Sequence, residues 1–433
     1  LLDRLKADDR FLRNVNRWEV IPPQEGRYAD YPRSLDARLV DVLKGRGVDR
    51  LYSHQAEAVE LALAGKSFVV PTPTASGKTL CYNLPVLDSI LRDGQSRALY
   101  LFPTKALSQD QMHEVHGIVT DLGVDIKTYT FDGDTPETAR RAIRSSGHIV
   151  VTNPDMLHQG ILPHHTLWVK LFENLKYVVV DEVHNYRGVF GSHVGNVIRR
   201  LRRVANFYGS DPQFICCSAT IANPRELAES LTGLEMAEVD RNGAPRGEKH
   251  FIFYNPPVVN QELGIRQSVI KTTRAIAEKF MSSGAQLIVF ARSRMRVELL
   301  LTYLEKAGRR VGIKSGEVRG YRGGYLPGER RAIEKGLREG TVTTVVSTNA
   351  LELGIDIGRL DVCIMAGYAG TVASTWQQAG RAGRRKGESV AILVASSAPI
   401  DQYVIEHPEF LLESSPEMAI IDPENLAILL SHV

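Results

Sequence analysis

Gly77-Lys78-Thr79 closes the run Thr72-Pro-Thr-Ala-Ser-Gly-Lys-Thr79, which lies between an apolar stretch, Ser67-Phe-Val-Val70, and a segment of helical length. Backbone N–H groups of such a loop wrap phosphate oxygens, helped by the positive end of the helix that follows. Thr74, Ala75, Ser76 and Gly77 would line the cradle. Lys78 would reach the β- and γ-phosphates of ATP, and the Thr79 hydroxyl would ligate Mg²⁺. The strict G-x-x-x-x-G-K-T spacing is not met, because Thr72 and Ala75 stand at positions where glycine is usual. Taken alone, the run could be a chance Gly-Lys-Thr at a helix start. Asp181-Glu-Val-His184 narrows the choice. It follows Tyr177-Val-Val-Val180 and so sits at the carboxyl end of a buried strand, the edge at which open parallel sheets bind ligands. There Asp181 can hold Mg²⁺, while Glu182 orients and deprotonates an attacking water. An isolated Asp-Glu pair would be read as a solvated acidic turn; one placed at a strand end after a phosphate loop is not. Gln55 lies upstream of the loop and offers both a donor and an acceptor to an adenine edge. A glutamine on a helix surface is an equal reading of that residue.

The second half carries Gln377-Gln-Ala-Gly-Arg-Ala-Gly-Arg384. Its glycines allow close backbone approach, and Arg381 and Arg384 project two planar cations. Together with Gln377 they suit stabilisation of the negative charge that spreads over a transferring phosphoryl group; a loop that only grips phosphate backbone is the alternative. Ser218-Ala-Thr220 follows an apolar run, and its hydroxyls could bond the Asp181–His184 segment. Tyr321, Arg322 and Tyr325 mix aromatic and basic groups among glycines, which suits stacking or strand contact or equally a turn with packing tyrosines. Trp376 could stack on a base or pack under the arginine loop. Arg199-Arg-Leu-Arg-Arg203 reads as a solvated helix face. His164, His165 and His184 have no partner at metal-ligand spacing.

These groups must be positioned by an α/β fold. Ser67–Val70, Ala98–Phe102, His148–Val151, Tyr177–Val180 and Phe214–Cys217 are short apolar runs expected to be buried parallel strands. Lys78–Leu91 and Pro136–Ser145 between them have helical periodicity. A second set follows, at Leu287–Phe290, Thr343–Ser347, Val362–Met365 and Val390–Val394. The expected organisation is an extension over residues 1–45, irregular and charged, and a nucleotide-binding domain over 46–240. A linker over 241–264 follows, with a short strand at Phe251–Tyr254, then a second domain over 265–400 and the start of a further module over 401–433.

A chain of 433 residues suits two or three domains. The net charge of +3 hides an asymmetry: Gly264–Ile400 holds 22 Lys and Arg against 11 Asp and Glu, whereas Asp401–Val433 holds seven acids and no Lys or Arg. The positive field therefore falls on the second half of the body, as expected of a part that grips phosphates. Cys81, Cys216, Cys217 and Cys363 form no C-x-x-C pair, which argues against a zinc site or disulfide framework and for buried reduced thiols in a cytoplasmic protein. No apolar run approaches the ~18 residues of a membrane span. The start at Leu1 and the stop after an apolar run suggest a fragment of a longer chain.

From Leu51 to Lys386 the sequence resembles superfamily-two helicases of the DExH-box kind. Besides the runs above, the resemblance rests on Pro103-Thr-Lys-Ala-Leu-Ser-Gln109, Thr152-Asn-Pro-Asp155, Val289-Phe-Ala-Arg-Ser293 and Ser347-Thr-Asn-Ala-Leu-Glu-Leu-Gly-Ile-Asp356. It implies two tandem RecA-like domains. It also implies a ribose contact for Asp356 and strand-phosphate contacts for Thr104, Lys105, Asn153, Ser293 and Thr348, which position a strand without reading its sequence. Thr72–Thr79, Gly320-Tyr-Arg-Gly-Gly-Tyr-Leu-Pro327, Thr375-Trp-Gln-Gln-Ala-Gly380 and Ile421-Asp-Pro-Glu-Asn425 are similar to the MrfA-type mitomycin-repair and RecQ-like group. That resemblance implies a 3′→5′ DNA helicase in DNA repair that uses ATP and Mg²⁺ on single-stranded or tailed duplex DNA, with a monomer favoured. It also implies a cysteine-bearing carboxy-terminal module beyond this chain. An RNA helicase and an ATP-gated nucleic-acid clamp stand as alternatives, since backbone contacts do not sense the 2′-OH.

Overall fold

The computed structural model describes residues 2–352, 357–358, 360–383 and 387–433. The chain divides into two compact units. The first comprises Gly26–Ala244 with Glu417–Val433, the second Leu1–Glu25 with Pro245–Pro416. Two large sheets use, in chain order, β1 (Val15–Ile21), β2 (Phe68–Val70), β3 (Arg97–Leu101), β4 (Thr128–Thr130), β5 (Ile149–Thr152), β6 (Leu175–Val180) and β7 (Gln213–Cys217). They continue with β8 (Ala237–Glu238), β9 (Lys249–Tyr254), β10 (Leu287–Ala291), β11 (Val318–Tyr321), β12 (Thr344–Ser347), β13 (Val362–Ala366) and β14 (Ser389–Val394). The helices needed below are α1 (Ser53–Leu63), α2 (Thr79–Arg92), α3 (Lys105–Leu122), α4 (Gly188–Phe207), α5 (Val269–Met281), α6 (Arg294–Arg310) and α7 (Val372–Ala379).

The first unit is built on a seven-stranded sheet in the order β8-β2-β7-β6-β3-β5-β4, with every pairing parallel. Residues buried on both faces explain the continuous apolar runs. Along β2, Phe68 and Val70 enter one core while Val69 enters the opposite one. The loops that follow β2, β7 and β6 emerge side by side at the carboxyl edge. The second unit has the order β1-β9-β14-β13-β10-β12-β11, parallel except for β1. Both units are thus α/β with mainly parallel sheets, as the alternating pattern requires. No helix among the described residues is long and apolar enough to cross a membrane.

Three stretches differ from the sequence reading. The amino-terminal stretch, read as irregular, contains β1, which adds antiparallel to β9 with Trp18 opposite Ile252. Charged Arg17 and Glu19 on this edge strand hide its period-2 signal, and only the partner strand orders it. The short strand expected at Phe251–Tyr254 is present as β9 and begins at Lys249, but it is buried within the second sheet and is not part of a linker. The acidic tail begins on the second unit, where buried Asp401 pairs with Arg292 at 2.7 Å. It ends on the first, where Asn196 of α4 donates to Pro423 O at 2.8 Å.

Candidate nucleotide site and helicase family

In the first unit β2 runs into the phosphate loop, and α2 starts at Thr79. The described residues contain two non-glycine positions with left-handed backbone: Ala75 (φ 64°) and Glu182 (φ 53°). Strain of that kind gathers at functional sites, and here both positions belong to the expected nucleotide site. Ala75, where glycine is usual, thus adopts the left-handed backbone that glycine would take without strain. Gly77 (φ 79°) is also left-handed. Thr72 Oγ1 and Ser76 Oγ lie 2.7 Å apart and are buried, so the two hydroxyls tie the loop together. Lys78 Nζ donates to Thr72 O at 2.7 Å and Pro73 O at 3.1 Å, folded over the loop whose phosphate it is expected to bind. Thr74 is half-buried beside it.

Gln55, on α1, is buried. Its Oε1 accepts from Tyr52 N at 2.9 Å, and its Nε2 donates to Gly77 O at 2.8 Å. The amide therefore braces the phosphate loop, which neither reading of Gln55 anticipated. One N–H and one lone pair remain for a base edge.

Asp181 and Glu182 follow β6, and both are buried. Asp181 Oδ1 accepts from Glu182 N at 2.7 Å, and Tyr82 Oη of α2 lies 3.3 Å from Oδ2. Burial first, and the neighbouring Glu182 charge second, push the Asp181 carboxyl well above its ordinary range. A divalent cation would reverse that balance, so this buried carboxylate, within the field of Lys78 of the phosphate loop, fits Mg²⁺. Glu182 Oε2 is buried and has no hydrogen-bond partner among the described residues. It lies 3.4 Å from His184 Nδ1, but that nitrogen accepts from Ala219 N at 3.0 Å and presents a lone pair. Burial also lowers the pKa of His184, favouring the neutral ring. An unpartnered buried carboxylate oxygen is costly and is what a base awaiting a water requires. The Ser218–Thr220 turn does meet the acidic segment, but through the Ala219 backbone. Ser218 Oγ donates to Ala219 O at 2.7 Å and Thr220 is exposed, so the expected hydroxyl link is not made.

In the second unit Gln377 and Arg381 are buried, and Arg381 Nη2 donates to Glu352 O at 2.8 Å. Gln378 Nε2 donates to Glu352 Oε2 at 3.0 Å. Asp356 and Arg384 lie outside the described residues. Sequence reasoning missed Lys249 of β9, a buried ammonium that donates to Ala379 O and Ala382 O. Burial lowers its pKa to about 8. A lysine inside an apolar run, Lys249-His-Phe-Ile-Phe-Tyr254, was the available signal.

The expected strand contacts divide. Thr104, Asn153, Ser293 and Thr348 all follow strands and cap the helices behind them. Asn153 Oδ1 accepts from Met156 N at 2.9 Å and Ser293 Oγ from Arg296 N at 3.3 Å, while Thr104 and Thr348 accept at 3.4 Å. Thr104 and Ser293 thus stand at the positive ends of the long helices α3 and α6. Lys105 pairs with Asp134 at 2.6 Å, half exposed. Tyr321 requires a correction: its ring is buried and its hydroxyl donates to Glu334 Oε1 at 2.6 Å, so the packing reading replaces stacking. Trp376 is likewise a packing residue, with Nε1 donating to Leu411 O at 3.0 Å and its ring 5.4 Å from Phe251. Arg322 is bound to Glu298 at 2.6 Å and lies over the Tyr325 ring. The Arg199–Arg203 run is tied down more than a solvated face would be, with Arg202 donating to Thr232 O and Arg200 to His158. All four cysteines are free and buried.

Comparison with known proteins agrees with this architecture. Residues 52–227 match the DEAD/DEAH box helicase family and residues 270–386 the Helicase conserved C-terminal domain. The ATP-dependent helicase YprA of Bacillus subtilis (strain 168) is 59% identical over 100% of this chain and 58% of its own length. The ATP-dependent helicase HRQ1 of Saccharomyces cerevisiae is 38% identical over 100% of this chain and 41% of its own. A crystal structure of the DUF1998 helicase MrfA bound to DNA and AMPPNP superposes with a TM-score of 0.95 at 59% identity, covering 100% of this chain and 60% of that one. The chain thus spans about 41–60% of the length of these relatives. With both helicase domains in order and the two RecA-like sheets that carry them, it belongs to the superfamily-two helicases, with a relationship to the MrfA, YprA and Hrq1 helicases.

Proposed function

We propose that this chain is the motor part of an ATP-dependent 3′→5′ DNA helicase of DNA repair in the cytoplasm, moving along single-stranded DNA as ATP is hydrolysed. The observation that carries the reading is the orphaned Glu182 oxygen, buried beside Asp181 at the strand end adjoining the Gly77–Thr79 loop. ATP would lie on the loop, with its phosphates on the backbone N–H groups and Lys78. Mg²⁺ held by Thr79 and Asp181 would neutralise the β- and γ-oxygens. Glu182 would take a proton from the attacking water as its oxygen bonds the γ-phosphorus and the bond to the β–γ bridging oxygen breaks, releasing ADP and phosphate. Arg381 and Arg384, with Gln377, are proposed to supply the cations and donors that meet charge on the transferring phosphoryl group. Thr104, Lys105, Asn153, Ser293 and Thr348 would hold strand phosphates.

DNA is favoured as the track because the solved structure of MrfA, at 59% identity, is of a complex with DNA and AMPPNP. The polarity and the repair role rest on the resemblance to the mitomycin-repair and RecQ-like group. Strand displacement on duplex DNA bearing either a 3′ or a 5′ tail tests substrate, unwinding and polarity together, with a matched RNA tail as the third arm. Displacement from the 3′ tail alone is expected. Displacement from the 5′ tail, or stimulation by RNA only, would refute the reading.

A further inference from the structure

The short backbone segment that carries Arg381 is tethered from several sides. Lys249 Nζ donates to the carbonyls of Ala379 and Ala382, which bracket that arginine. Cys363 Sγ, on β13, lies 3.1 Å from Gln378 O, and Gly383 N donates to Leu360 O at 3.1 Å. Ala379 is the last residue of α7, so its carbonyl belongs to the helix end whose oxygens lack intrahelical partners and carry partial negative charge. Lys249 is only 7% exposed and occupies a strand position where an aliphatic side chain would be far cheaper to bury. The desolvation of that ammonium is offset by two carbonyls of one loop, so the residue is spent on fixing that loop. Neither titratable neighbour neutralises it: the Cys363 thiol is pushed up by burial to about 12 and is neutral, and Arg246 repels the ammonium.

We infer that Lys249 is a positioning residue for ATP hydrolysis: by bonding the carbonyls on both sides of Arg381, it holds that arginine's backbone in place before the reaction begins. The inference rests on the proposed role of Arg381. A guanidinium stabilises a transferring phosphoryl group fully only when it need not reorganise during the step, and a displacement near 1 Å can cost about 100-fold in rate. Its bonds go to the Arg381 loop and the phosphate-loop residues are proposed to hold the nucleotide, so nucleotide affinity should not depend on it.

The test is DNA-stimulated ATPase kinetics on the full chain. Lys249→Met should lower kcat roughly 10- to 100-fold with KM and analogue affinity unchanged, and Lys249→Arg should recover most of the loss. In an Arg381→Ala background, Lys249→Met should have no further effect, because both act through one group. A kcat near the parent for Lys249→Met, an effect that persists in the Arg381→Ala background, or a parallel loss of nucleotide affinity would each overturn the inference while leaving Arg381 in place. A parental kcat for Arg381→Ala alone would instead remove the reading on which it stands. If Lys249→Met does not fold, Lys249→Gln, which keeps a donor, and Cys363→Ala, which removes the thiol tether, carry the same test. Each should show a smaller fall in kcat at constant KM, and an unchanged kcat in both overturns the inference.

Discussion

Gly77→Ala is the substitution whose cost the structure determines most directly. Gly77 has φ 79°, and an added Cβ would lie 2.6 Å from Gln55 Nε2. The left-handed conformation costs an L-residue about 1–2 kcal/mol. Gln55 cannot simply swing aside, because it is buried and both ends of its amide are bonded. Displacing it forfeits the bond to Gly77 O, worth about 1 kcal/mol net. The sum is about 2–3 kcal/mol against the loop shape in which its N–H groups converge. If the free variant relaxes to another loop shape, that energy must be supplied on binding, and affinity for a non-hydrolysable ATP analogue should fall roughly 30- to 150-fold. If the loop is held in place, the same energy appears as lost stability. Calorimetric titration and thermal unfolding on one preparation divide the two. Affinity and Tm both indistinguishable from the parent would refute the argument. Ala75→Gly is the matched control. It relieves a similar left-handed strain, but glycine loses more backbone entropy on folding, so stability should move by less than about 1 kcal/mol and nucleotide affinity should be retained.

Glu182→Gln should bind ATP as the parent does and lose roughly 10²- to 10⁴-fold in turnover, the range for a missing general base; normal turnover in single-turnover and steady-state assays would sink the assignment. Lys78→Ala should abolish ATP use, measured as phosphate release with saturating single strand, and retained hydrolysis would contradict its placement on the phosphates. Trp376→Phe removes the bond to Leu411 O and should cost about 1 kcal/mol of stability with single-strand affinity unchanged; a loss of about 1–3 kcal/mol in strand binding would instead mark a stacking residue. Tyr321→Phe should behave the same way, losing its bond to Glu334 and lowering Tm without weakening a fluorescent single strand's binding.

Much was legible in the sequence because parallel strands buried on both faces must be apolar throughout, and because phosphate chemistry demands particular residues at strand ends. Phe68–Val70, Tyr177–Val180 and Phe214–Cys217 announced themselves, and with them the placement of Lys78, Asp181 and Glu182 at one sheet edge. Edge strands were not legible in the same way. Val15–Ile21 and Thr128–Thr130 are partly exposed, so their composition carries no clear period. The strand at Phe251–Tyr254 was legible, but its place inside the second sheet was not, because its partners β1 and β14 lie far away in sequence.

The sequence by itself determined which groups could bind a nucleotide, since residue type fixes charge, acidity and hydrogen-bonding capacity. Tertiary structure alone decided how those groups are used. A hydrogen bond depends on what comes within about 3 Å, and no spacing rule says that Gln55 braces Gly77, that Tyr321 is spent on Glu334, or that Lys249 holds the Arg381 loop. The orphaned oxygen of Glu182 is of the same kind: its carboxylate was written in the sequence, and its lack of a hydrogen-bond partner among the described residues is a property of packing.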